Sequence, residues 1–366
     1  MSQKNKMISV LFACLHRPNR SPSQRYRFEQ YIDILNRQGY KTKISYLLNA
    51  KDDKNFYTTG NYFYKFIILI KGFIKRVNET FFLKKHDIVF VQRECFMLGI
   101  SFFEKKFSRK SKLIFDFDDS IWLQNISNAN KKLAFLKNPN KTKEIIKMAA
   151  LVIAGNEFLA NYALNFNKNV IIIPSTIDTE KYTIKEAKAE KEIVIGWSGS
   201  FSTIEHFETA KEALKAIKDR YNDKVVFEVI GDPNYRCDIL GIIGKAWDAN
   251  TEVEDLQYFD IGIMPLPDNE WTKGKCGMKG LQYMAAGIPT IMSPVGVNSK
   301  IIEDGENGFL AATTEEWINK LSLLIDSAEL RKKFASNGRK EVERKYSIDA
   351  NKEKYIAAMQ MVLEKD

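Results

Sequence analysis

Residues 260–294, DIGIMPLPDNEWTKGKCGMKGLQYMAAGIPTIMSP, decide how the rest of the chain is read. Asp260 to Leu266 is apolar enough for an inner parallel strand, and the Pro, Asp, Asn and Gly of residues 267–274 mark a loop. Residues 276–286 carry apolar side chains at helical spacing and stop at Gly287-Ile288-Pro289, after which residues 290–292 read as a second buried strand. A lysine-bearing, glycine-interrupted helix start directly after a buried strand is an arrangement that binds phosphate. Lys275, Lys279 and Gln282 fall at i, i+4 and i+7, on one face of that start. A helix N-terminus already carries partial positive charge and four unpaired N–H groups. Two lysines there cost roughly 0.3–1 kcal/mol each unless an anion answers them. A diphosphate, held also by the amides of Cys276, Gly277 and Met278, would be that anion.

Outward from this unit, short apolar runs alternate with amphipathic segments. Before it, strands are expected at residues 8–13, 43–47, 88–91, 112–117, 151–154 and 170–173, with a helix near 23–38. After a charged stretch without apolar periodicity the alternation restarts: strands at 192–197, 225–230 and 261–265, helices at 204–220 and 239–249. Helices at 314–325, 328–345 and 348–364 close the chain. Strand–helix alternation of this kind means α/β architecture with doubly wound parallel sheets, and the ligand is expected beyond the strands' C-terminal ends. The expected domains are residues 1–180 and 193–347, joined by a linker at 181–192, with 348–366 as a helix crossing back to the first domain.

At 366 residues the chain exceeds the size at which a single core stops growing. Its 45% hydrophobic and 28% charged residues are ordinary globular composition. The net charge of +10 suits an anionic partner, nucleotide or membrane, as well as it suits a lysine-rich background; no recognisable nucleic-acid module is present, so nucleic acid is not expected. Cys14, Cys95, Cys237 and Cys276 lie far apart without metal-ligand spacing, which argues against a disulfide framework or zinc site and fits a reducing cytoplasm. The apolar run after Met7 reads as a first strand and not as a signal peptide.

Two Rossmann-like halves, the junction IIIPSTIDTEKY, the restart IVIGWSGSFST and the run GKCGMKGLQYMAAGIPTIMSPVGVN…DGENGFLA together resemble the retaining glycosyltransferases of family 4, with the GT-B fold. The runs SQRYRF, VQRE, FDFDDSIW and AGNEFLANYA are similar to a subgroup acting in bacterial cell-surface polysaccharide assembly. The resemblance implies two domains facing across a cleft. It implies transfer of a sugar from a nucleotide-sugar, UDP- or GDP-linked, to a glycan or polyprenyl-linked acceptor held by the N-terminal domain. It further implies retention of configuration, no metal and no cofactor. Most family members carry two glutamates eight residues apart at this site, where this chain has Gly274 and Gln282. Gln282 still offers an acceptor and a donor for ribose hydroxyls. Many members also have an arginine and a lysine after the first strand of the second domain. Here Ser198-Gly199-Ser200 stands instead, so Lys275 and Lys279 carry the charge and Gly199 and Ser200 line the phosphate pocket.

Ser202 and Glu205 have capping-box spacing at the following helix start. Asp116, Asp118 and Asp119 crowd the end of the strand at 112–117, so at least one has a raised pKa or a basic partner. Asp118 falls nearest the family's sugar-contacting histidine, and the expected catalytic role is to orient donor hydroxyls or accept the acceptor's proton, with Asp119 as substitute. The alternative is a strand-end cluster satisfied by backbone N–H groups and Arg93. Arg25, Arg27, Arg93 and Glu94 are expected on the acceptor side, with an Arg93–aspartate salt bridge as the alternative. Residues 61–77, NYFYKFIILIKGFIKRV, are too often broken by lysine to span a bilayer; they read either as an amphipathic helix packed on the first sheet or as a peripheral contact with an anionic membrane, on the inner face of the cytoplasmic membrane. Two other functions stay open: a nucleotide-sugar epimerase on the same fold, and a catalytically silent nucleotide-binding partner subunit.

Overall fold

The computed structural model describes residues 7–58, 60–123, 138–184 and 192–364. The chain forms two compact units, residues 1–175 with 351–366 and residues 176–350. Most of the segment expected as a linker, residues 185–191, lies outside the described residues.

The first unit is built on β1 (Ile8–Ala13), β2 (Tyr40–Ser45), β3 (Ile88–Gln92), β4 (Lys112–Phe117), β5 (Leu151–Ala154) and β6 (Val170–Ile172). These form one parallel sheet in the order β2-β1-β3-β4-β5-β6. The connecting helices are α1 (Pro22–Arg25), α2 (Ile32–Arg37), α3 (Ala50–Tyr57), α4 (Tyr62–Val77), α5 (Phe102–Lys110), α6 (Asn140–Met148) and α7 (Glu157–Leu164). In the second unit β7 (Ile193–Ser198), β8 (Val225–Ile230), β11 (Ile261–Met264), β12 (Thr290–Met292) and β13 (Phe309–Leu310) form a parallel sheet in the order β13-β12-β11-β7-β8, and β9 (Arg236–Cys237) pairs with β10 (Ile242–Ile243) as a hairpin. Its helices are α8 (Ile204–Glu208), α9 (Lys211–Tyr221), α10 (Glu252–Leu256), α11 (Glu270–Lys273), α12 (Met278–Ala285), α13 (Asn298–Ile301), α14 (Thr314–Asp326) and α15 (Ala328–Glu341). The closing α16 (Ile348–Glu364) runs into the first unit, where Tyr355 stacks on Tyr31 with ring centroids 4.2 Å apart. Both sheets are doubly wound. Strand order reverses at β1/β3 and at β7/β11, and there the loops beyond the strand ends diverge.

The inner strands are buried on both faces, as their unbroken apolar runs require: β3, β5, β11 and β12 are buried at every position. Four expectations need correction. The helix expected near 23–38 is broken after Arg25, because Phe28 leaves helical geometry (φ −139°) to stack its ring 5.0 Å from Phe12. The helix expected at 204–220 breaks at Thr209, whose hydroxyl bonds back to the His206 carbonyl at 2.6 Å. No α-helix forms at 239–249, and only the end of a 3-10 turn, Asp238–Leu240, enters the stretch. Gly241 is left-handed (φ +68°), so the chain turns and pairs Ile242 with Cys237 across the hairpin. The strand expected at 43–47 is moved back to Tyr40–Ser45, in register with β1 from Ile8 to Ala13.

Candidate active site

At the reversal point of the second sheet the carboxyl ends of β7 and β11 flank one crevice. Past β11 the chain makes α11, whose N-cap Asn269 accepts from the Thr272 amide at 3.0 Å, and then a turn through Gly274–Gly277 into α12. Gly277 caps α12 in the left-handed region (φ +68°), and an added Cβ would lie 2.2 Å from the Ile301 side chain, so this position requires glycine twice over. The helix therefore starts at Met278, two residues later than expected, and Lys275 precedes it. Lys275 Nζ lies 5.1 Å from the Trp271 ring centroid and Lys279 Nζ 5.4 Å from that of Trp197, whereas Lys273 is held by Glu270 at 2.9 Å. Two ammonium groups thus lie over indole faces at a helix N-terminus, beside backbone dipoles of the same sign.

Gln282 does not share an open face with these lysines. It is buried on α12, and its amide nitrogen lies 2.8 Å from Tyr182 Oη and 3.3 Å from Glu252 Oε1. Tyr182 Oη donates to Glu252 Oε2 at 2.9 Å and Trp247 Nε1 to Glu252 Oε1 at 3.0 Å. Because a carboxylate only accepts, this buried cluster fixes which end of the Gln282 amide faces it, the NH2 end. Glu252, Tyr182 and Trp247 were not legible in the sequence: Gln282 and Tyr182 are 100 residues apart and share no motif.

The serine–glycine turn after β7 is closed on itself. The Ser198 amide donates to Tyr283 Oη at 2.8 Å, that of Gly199 to the Ile230 carbonyl at 2.9 Å, and that of Ser200 to Thr203 Oγ1 at 3.1 Å. The space a Cβ would take at Gly199 is filled by the Trp197 indole, 2.0 Å from it, so this glycine admits a ring. The capping box here is Ser200 with Thr203, not Ser202 with Glu205, because the chain enters α8 through a 3-10 turn at Phe201–Thr203 that moves the cap two residues earlier.

The first unit assembles its charged residues at the ends of β3 and β4. Arg93, left-handed at φ +61°, donates its backbone N–H to the Asp116 carbonyl at 2.8 Å and its guanidinium to Asp118 (2.8 Å) and Asp119 (2.5 Å). The salt-bridge alternative for this cluster is thus realised. Burial raises the pKa of Asp116, and Arg27 opposes that shift through a guanidinium nitrogen 2.5 Å from its carboxylate. Arg27 is 2% exposed and also bonds the Ile173 carbonyl at 2.5 Å, so its fork is spent inside the fold and not on an acceptor. Glu94 pairs with Lys141 at 2.8 Å, whose ammonium also bonds the carbonyls of Phe96 and Leu98. Arg25 is buried, with its guanidinium 5.0 Å from the Tyr26 ring. At the end of β1 a further group gathers around His16, which the sequence places just after the first strand without showing its partners. His16 contacts Tyr57 Oη (3.3 Å) and Asp53 (3.5 Å), and Asp53 also binds Arg17 (3.1 Å) and Arg20 (2.5 Å). Among the described residues no group of three or more His, Cys, Asp or Glu has the arrangement of a metal site.

Residues 192–327 match the family model described as glycosyl transferases group 1. Among solved structures, sucrose-phosphate synthase from Thermosynechococcus elongatus matches with a TM-score of 0.71 at 13% identity, over 98% of this chain and 100% of that one. A glycosyltransferase from Rickettsia africae matches at 0.65 and 14% identity, over 99% and 100%. Anabaena HepE, solved in complex with UDP and glucose, matches at 0.61 and 12% identity, over 97% and 100%. At these identities the likeness is one of fold, and the fold is GT-B. No curated protein matches the chain in sequence.

Proposed function

We propose, on the premise that residues 192–327 belong to the group 1 glycosyl transferases, that the chain transfers a sugar from a UDP- or GDP-sugar to a glycan or lipid-linked acceptor. The transfer retains configuration and serves bacterial surface polysaccharide assembly. The observation that carries the reading is the cationic segment Lys275–Lys279, which leads into the first turn of α12 at the reversal point of the second sheet. A diphosphate there meets two ammonium groups and the amides of Cys276–Met278, which stabilise the charge that develops as the bond from the sugar's anomeric carbon to the phosphate oxygen breaks. The acceptor oxygen bonds to the same carbon on the same face, and its proton passes to the leaving phosphate, so no protein base is demanded. Within the first unit taken by itself, Asp118 and Asp119, oriented by Arg93, are the carboxylates offered to a sugar hydroxyl. With the NH2 of Gln282 turned to Glu252 and Tyr182, its carbonyl oxygen is the atom assigned to ribose.

Calorimetric titration with UDP and GDP in the presence of EDTA tests the reading. One nucleotide is expected to bind at micromolar concentration, and Lys279→Ala to weaken it at least tenfold, about 1.4 kcal/mol. Binding of neither nucleotide by folded protein would overturn it. A silent nucleotide-binding subunit is the second reading, favoured by the glutamine at position 282. Loss of product in Asp118→Ala with nucleotide binding intact would count against that reading.

A further inference from the structure

Helix α4 is turned inside out relative to its composition. Its buried positions are Lys65, Ile68, Gly72 and Arg76, while Phe63, Phe66, Ile70 and Ile74 face solvent, Phe63 with 73% of its surface accessible. At about 100° per residue the two sets lie on opposite faces. The inward cation has a reason to be there: all five N–H donors of the Arg76 guanidinium are used, on the carbonyls of Cys14, Ser45 and Cys95, on Ser45 Oγ and on Glu79. The outward stripe continues beyond the helix through Phe81 and Phe82, the latter 77% exposed.

Cations are interleaved with these rings. Lys106 Nζ lies 5.0 Å from the Phe81 centroid and 5.4 Å from that of Phe102, and Lys110 Nζ lies 5.7 Å from Phe81. Lys84 and Lys85 follow the stripe directly and are exposed. The one carboxylate between residues 61 and 85, Glu79, is buried against Arg76. Large apolar rings beside long-stemmed cations, with no exposed acid between residues 61 and 85, fit a surface that is apolar below and anionic at its face. A second copy docking two-fold on the stripe would bring these lysines against their own kind, which is unfavourable. No helix among the described residues is long and apolar enough to cross a membrane.

We infer that the outer face of α4, with Phe81, Phe82 and the lysines beside them, seats the first unit on the surface of an anionic lipid bilayer, its rings in the interfacial layer. The inference stands apart from the transferase reading and is measured without donor or acceptor. The full chain is floated with phosphatidylglycerol-containing vesicles and with phosphatidylcholine vesicles. Wild type is expected to partition onto the anionic vesicles at least tenfold more strongly than onto the neutral ones, and to be released by salt. The triple variant Phe63→Ser, Phe66→Ser, Ile74→Ser should lose at least tenfold of that partitioning with an unchanged melting temperature, and Lys84→Glu with Lys85→Glu should remove the preference for anionic lipid. Wild type that stays in the aqueous phase, or a triple variant that floats like wild type, would overturn the inference. So would light scattering that shows a dimer dissolved by the triple variant, since the stripe would then be a contact between copies.

Discussion

Helices α4 and α12 each follow a loop, each set lysine among apolar residues (three in α4, one in α12), and bury opposite things. In α12 every residue from Gly280 to Ala285 is inside, including the polar Gln282 and Tyr283, and the cation Lys279 is at the first turn. In α4 two cations are inside and the aromatic rings are out. The difference teaches that periodicity reveals two faces without saying which is buried. Hydrophobic transfer favours the apolar face by roughly 1.5–3 kcal/mol per large side chain. A polar face can still be the inner one where a fork of fixed donors finds acceptors already waiting at strand ends, and an outer surface exists to take the rings.

The contrast is broken most forcefully at Arg76. Arg76→Ala leaves the carboxylate of Glu79 and the carbonyls of Cys14, Ser45 and Cys95 without their donor, and should cost about 3–5 kcal/mol of first-unit stability by denaturant unfolding. If the loss is below about 1 kcal/mol, the guanidinium is not what holds α4 in this orientation. On the other helix Leu281→Ala, at a position of 0% exposure, should cost about 2–5 kcal/mol in the second unit by the ordinary cavity mechanism.

Gln282→Glu sharpens the comparison, because it would set a second carboxylate against buried Glu252. An expected loss of roughly 2–3 kcal/mol should be recovered largely by adding Glu252→Gln, which restores one carboxylate and one amide. Equal instability of the single and double variants in thermal unfolding would show that charge is not the issue at this cluster.

A pH dependence belongs to Asp53. Burial acts to raise its pKa, but the nearby His16 ring and the bonds from Arg20 and Arg17 outweigh that and hold the carboxyl below the usual range. A group depressed in the folded state contributes stability above its unfolded pKa of about 3.9 and loses it as pH falls through that value and below. Stability of the first unit should therefore fall on acidification below about pH 5, by about 1–2 kcal/mol from this residue. Asp53→Asn should be less stable at neutral pH and show a flatter acid limb. The smallest effect is expected at Ile74→Ser, within about 0.5 kcal/mol, because that side chain is 61% exposed.

Much of the architecture was legible because it is local. The apolar runs at 112–117, 151–154 and 290–292 are strands at those bounds, since an inner parallel strand must be apolar on both faces. The cationic helix start was legible for the same reason: Lys275, Gly277 and Lys279 are neighbours in sequence. What failed was local preference overruled from a distance. Phe28 breaks a helical pattern to fill space beside Phe12.

By itself, then, the sequence determined two doubly wound units and a lysine-bearing, glycine-interrupted helix start, because strand alternation and helix capping are written in residues a few positions apart. Only the tertiary structure decided the partners. Arg27 meets Asp116 across 89 positions, Gln282 meets Tyr182 across 100, and Arg76 turns inward to three strand ends. A charged or amide side chain is committed by where its acceptors lie in space, and sequence spacing carries no record of that.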